Sequence, residues 1–112
     1  MPTVYKVLGR RASGATTEEE LYTVPSATEA VVSTLVVCNR SASARTYRIS
    51  VKPTAATTIA DEHYIAYDVA IAANDSTALT LGITLAATNS IRVYASASAS
   101  LTFTAFGSEI TA

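Results

Sequence analysis

The sequence predicts an all-β domain: an antiparallel β-sandwich, jelly-roll-like, of about eight short strands. Three observations predict it. Short segments of alternating apolar and polar residues recur along the chain, separated by turn signals roughly every 8–12 residues. β-Branched residues gather in those segments, above all in Ala30–Asn39 (AVVSTLVVCN), the longest apolar run. No stretch of useful length carries helical periodicity.

Taken in order, Val4–Leu8 reads as the first strand, ended by Gly9, Arg10 and Arg11, with residues 9–20 an extended loop or arm. Thr17–Glu20 has capping-box spacing, but Leu21–Val24 is β-like and Pro25 would stop a helix, so at most one helical turn precedes a strand at 21–24. After the turn at residues 25–28, Glu29–Asn39 is the central strand. One face carries Val31, Ser33, Leu35 and Val37, and the other Val32, Thr34, Val36 and Cys38. Both faces are largely apolar, so both need cover: a second sheet on one, and either more of the same subunit or a partner on the other. Thr46–Lys52 alternates cleanly, with Tyr47, Ile49 and Val51 inward. His63–Ile71 is a strand bent near Asp68. Tyr64 and Tyr67, three apart, face opposite sides if that strand is regular. Asn74-Asp75-Ser76 is a turn. Thr77–Leu85 follows, with Leu79 and Leu81 inward and a bulge or bend at Gly82. Ser90–Ala95 sets Ile91 and Val93 against Arg92 and Tyr94. Ala95–Ser100 is low complexity. Leu101–Phe106 is the last strand, with Leu101, Phe103 and Ala105 inward, closed by Gly107 and a short tail.

The 112 residues are one domain on size, and long enough to bury about two-thirds of the unfolded surface without a disulfide or metal. Hydrophobic residues make up 49% and charged residues only 15%, which fits either a Ser/Thr-coated β domain or one that lives in an assembly. A net charge of -1 offers no basic field for nucleic acid or anionic lipid. No run approaches the roughly 20 apolar residues of a membrane helix, and the N-terminus shows no signal-peptide core.

Catalytic and metal-binding signatures are sparse. Asp61, Glu62 and His63 are adjacent, so their side chains cannot all converge on one ion, and a surface loop is the better reading. The single cysteine, Cys38, lies in the apolar run and reads as a small core hydrophobe, so a Cys38–His63 catalytic pair is disfavoured. Phosphate-binding loops and a serine-nucleophile elbow are missing. No catalytic, cofactor-binding or metal-ligating residue is assigned. The chain has no Trp, which weighs against a sugar cleft, although six tyrosines keep carbohydrate binding open.

Leu21-Tyr22-Thr23-Val24-Pro25 leading into Ala30–Arg40, then Tyr64–Asp68, Leu79–Leu85, Ile91–Ala95 and Phe106–Ile110, together resemble small virion structural proteins of tailed bacteriophages. The resemblance runs from about residue 20 onward and rests on β segments, not catalytic motifs. It implies a non-enzymatic virion protein, assembled in the host cytoplasm. The favoured form is a capsid decoration (cement) protein on the capsid surface, a homotrimer clamping major capsid protein subunits. A tail, baseplate or fibre module, with carbohydrate or host-surface binding, is the alternative. Candidate assembly contacts are Tyr5, Arg10 and Arg11, chosen for the polar, extended character of residues 9–20.

Overall fold

A computed structural model describes residues 2–14, 16–54 and 58–111, with only the backbone of Leu81. Eight strands form: β1 (Thr3–Ala12), β2 (Glu19–Thr23), β3 (Thr28–Asn39), β4 (Arg45–Lys52), β5 (Tyr64–Ile71), β6 (Ser76–Leu85), β7 (Ser90–Ala95) and β8 (Leu101–Thr111). Among the described residues a single 3-10 turn, Asp61–His63, precedes β5. The strands make two four-stranded sheets, ordered β1-β8-β3-β6 and β2-β7-β4-β5, and every pairing is antiparallel. Only the β4–β5 connection stays within one sheet. All others cross between layers, which is the strand order of a jelly roll; the sequence predicts the jelly-roll-like sandwich but not this order.

The core lies between the layers. Leu35, Val37, Leu101, Phe103 and Ala105 of the first sheet meet Tyr47, Ile49, Ile91 and Val93 of the second. Tyr47 and Phe103 join the layers edge to face, with centroids 6.4 Å apart and planes at 76°. The inward residues read from the alternation of β4, β7 and β8 are the buried ones, except that Val51 is half-buried against the core. Asn39 seals the end of the apolar run. Its amide donates to the carbonyls of Ser43 and Ala72 and its Oδ1 accepts from Ser41, so this buried polar group is satisfied.

Bulges account for the differences from the sequence expectation. In β3 the buried apolar residues are Ala30 and Val32, then Leu35 and Val37, so the inward phase switches at Ser33. Val31 therefore lies opposite to Leu35 and Val37 rather than beside them. Ser33 is one residue too many against β8, and against β6 it stands alone opposite Leu81 and Gly82. Leu8 of β1 is a further extra residue against β8, between Val7 and Gly9. The irregularities at Leu8, Phe106–Gly107, Ser33 and Gly82 thus lie at one level and crease the first sheet from edge to edge.

The expected arm at 9–20 is shorter. Gly9–Ala12 continue β1, Glu19 and Glu20 open β2, and no helical turn forms at Thr17–Glu20. β8 also continues through Gly107 to Thr111, because Gly107 is accommodated there: a Cβ would collide with the Val31 carbonyl oxygen. Cys38 is half-buried on the outer face of β3 and not in the core. The inward placement expected of Leu81 lies outside the described side chains.

Candidate functional site

With one face of each sheet spent on the core, function falls to the outer faces and edges. The crease of the first sheet opens a groove of about 600 Å³ on its outer face, lined by Tyr5, Val7, Val31, Ser33 and Phe106. Tyr5 is 85% exposed and Phe106 38%, so large apolar surface borders this groove. The Ser33 hydroxyl donates to the Phe106 carbonyl at 3.3 Å, tying the bulge of β3 to its neighbour.

Of the candidate contacts, Tyr5 lines the groove, and Arg10 is exposed further along β1. Arg11 is engaged within the chain. Its Nε donates to the Glu20 carbonyl at 2.5 Å and its guanidinium lies 3.3 Å from the Glu19 carboxylate, holding β1 to β2 across the layers. A second cross-layer tie sits nearby: Glu109 of β8 accepts from the Tyr22 hydroxyl at 2.5 Å and from Lys6 at 3.3 Å. These bonds hold the Glu109 carboxyl below its ordinary range, the Tyr22 bond being the largest cause. Burial, then the same carboxylate, pushes the Tyr22 phenol far up.

The outer face of the second sheet carries an aromatic–ionic cluster. The Arg48 guanidinium lies between two rings, 4.2 Å from the centroid of Tyr67 and 4.5 Å from that of Tyr94. Asp68 pairs with it at 2.7 Å from a bulge where φ is 51°, and this bond raises the Arg48 pKa. Tyr64 and Tyr67 do not face opposite sides as a regular strand requires. Ile65 is an extra residue opposite β4, so the two rings share the outer face and meet edge to face at 4.8 Å and 85°. Tyr64 then donates to Glu18 Oε1 at 2.6 Å, which pushes its phenol up to about 12. Ser50, directly opposite Tyr64 in the ladder, is fully buried on this outward side.

A small depression of about 380 Å³, lined by Tyr64, Tyr67 and Asp61, opens beside the cluster. Asp61 is held by a closed turn, in which His63 Nδ1 accepts the Ala60 N–H at 2.9 Å and the His63 N–H returns to the Ala60 carbonyl at 3.0 Å. Among the described residues, no three His, Cys, Asp or Glu side chains gather as metal ligands would. Cys38 lies on β3 of the first sheet, whereas His63 lies in the turn before β5, where its Nδ1 accepts the Ala60 N–H.

Sequence reasoning placed Arg48, Tyr94 and Phe106 on outer faces through simple alternation. The groove and the tyrosine corner were missed because bulges bring their parts together; strand glycines are a weak signal at the groove, and β5 has none.

No protein-family model matches the chain, and no curated protein matches it. Among solved structures, a chain in the structure of infectious bursal disease virus Gx strain is similar, with a TM-score of 0.53 and 10% identity over 96% of this chain and 32% of that one. A chain in the structure of the Gt strain of the same virus gives a TM-score of 0.47 and 12% identity over 96% and 31%. The protein spans about a third of the length of the viral chains it resembles. At this identity the likeness to the Gx chain is one of fold.

Proposed function

We propose that this protein is a non-enzymatic structural subunit of a virus particle. The observation that carries the reading is the jelly-roll order over nearly the whole chain, matched along 96% of its length by part of a chain in a virus structure. The creased outer face of the first sheet supports it, with an aromatic-bordered groove of a kind suited to packing against another subunit. Within this reading the protein decorates a tailed-phage head as a cement protein, a homotrimer bridging major capsid subunits from the capsid surface, with Tyr5 and Arg10 among its contacts. Burying such faces between neighbours favours the closed shell by mass action, and threefold symmetry repeats one modest contact into avidity.

Localisation tests the proposal. Purified particles from the source of this sequence are analysed for the chain by mass spectrometry and mapped by cryo-EM. Sandwich-shaped density over capsomer junctions is the expected result. Density confined to the tail replaces the cement reading with the tail, baseplate or fibre one, and absence of the chain from particles overturns the virion reading itself.

A further inference from the structure

We propose that the corner formed by Tyr64, Tyr67 and Asp61 is a binding site for a neutral saccharide. This goes beyond a packing role and does not depend on where in a particle the chain sits.

The first support is the state of Tyr67. Its ring is 55% exposed, yet the edge contact with Tyr64 and the guanidinium stacked on it both fix its position. Each neighbour is anchored in turn: Tyr64 by Glu18 and Arg48 by Asp68. An exposed ring held by its surroundings loses little freedom on stacking against a ligand. Arg48 stacks over one face of the ring, and the exposed remainder of Tyr67, which lines the depression, is the surface offered to the C–H face of a sugar.

The second support is the polar complement. The Asp61 carboxylate and the Tyr67 hydroxyl have no hydrogen-bond or ion-pair partner among the described residues, and both border the same depression. One acceptor-only group and one donor–acceptor group beside an aromatic wall match the alternation of hydroxyl edge and apolar face on a pyranose. Two hydrogen bonds between Ala60 and His63 close the turn that carries Asp61, one accepted by the His63 ring and one by the Ala60 carbonyl. At about 380 Å³ the depression lies at the lower end of small-ligand sites, roughly 300–1,000 Å³, which suits one or two sugar rings.

Charge narrows the class. Asp61 lines the depression, Glu62 follows it in the same turn, and Asp68 already balances Arg48, so an acidic sugar meets repulsion. A cationic ligand is disfavoured because the stacked guanidinium already draws on the same ring.

The full chain is tested by saturation-transfer NMR and on an array of neutral and acidic glycans, with a lysine-rich peptide as a competing ligand. Binding of neutral glycans is expected, weakened about tenfold or more by Tyr67→Ala and by Asp61→Asn, and unchanged by Thr80→Ala, an exposed position on the other sheet. Asp61→Asn removes an exposed carboxylate without a partner, so it tests the site even if Tyr67→Ala fails to fold. No neutral glycan bound, a preference for acidic glycans, binding of the peptide instead, or full affinity in folded Asp61→Asn would each overturn the proposal.

Discussion

The Tyr64 hydroxyl donates to Glu18 Oε1 at 2.6 Å, and the two residues belong to opposite margins of one sheet. Tyr64 opens β5 on one edge, while Glu18 immediately precedes β2 on the other. The two side chains together therefore reach across the outer face of β4 and β7, starting from Tyr64 beside the buried Ser50. The second Glu18 oxygen is buried with no partner among the described residues, so the carboxylate leans heavily on this one bond. Tyr64→Phe is expected to cost about 1–2 kcal/mol, and a double-mutant cycle with Glu18→Gln to give a coupling of similar size. Denaturant melts of the four proteins measure it. Additive effects would show that the bond contributes nothing net.

Two glycines should behave in opposite ways. Gly107→Ala drives a Cβ into the Val31 carbonyl on the neighbouring strand, and an expected loss of about 3 kcal/mol or more follows from the backbone shift. Gly82 has open space where a Cβ would stand, so Gly82→Ala is expected to be neutral or stabilising by up to about 1 kcal/mol. Thermal melts of both variants read the contrast.

Ionisation sets the pH limits of the fold. The Glu109 carboxyl is held down in the folded state, so its contribution to stability is present above its ordinary value near 4.5 and is lost as pH falls through the depressed folded value. Tyr22→Phe removes the main cause and should flatten that acid-side loss in melts recorded across the acid range. The Tyr64 phenol is displaced the other way. Its stabilisation is complete below pH 10 and disappears as pH rises through about 12. Ultraviolet titration of tyrosinate in wild type and Tyr64→Phe checks this.

Arg10 and Arg11 separate assembly from folding. Arg11→Ala is expected to lower stability by about 0.5–1 kcal/mol, since its guanidinium ties β1 to β2. Arg10→Ala should leave the melting temperature unchanged. Under the assembly reading, Arg10→Ala and Tyr5→Ser weaken particle attachment or self-association, measured by sedimentation at micromolar protein. Unaltered assembly in both variants would remove these residues from the contact.

Positive backbone angles at alanine give a stabilising test. Ala27 and Ala99 are exposed at φ 54° and 55°, a region that favours glycine. Each Ala→Gly change is expected to raise stability by about 0.5–1 kcal/mol in calorimetry.

Much of the fold was legible because period-two alternation is a local property. β4, β7 and β8 each show which face is buried without reference to any other strand. What escaped depends on pairing. The phase switch at Ser33 and the shared face of Tyr64 and Tyr67 come from one strand having a residue more than its partner, and no single segment records that count. The extension of β8 past Gly107 was hidden for a related reason, since the glycine that looks like a stop is the residue that lets β8 lie against Val31.

The register breaks have a consequence for solubility. They reach every margin of the molecule: Leu8 and Gly82 on the two edges of the first sheet, and Leu21 and Ile65 on the two edges of the second. A fibril or a swapped strand needs a long straight rim on which to extend its ladder, and none of the four rims offers one. A Ser/Thr-rich chain of net charge -1 thereby guards its rims against uncontrolled polymerisation without a large net charge. Whatever it joins, it is shaped to join through its faces.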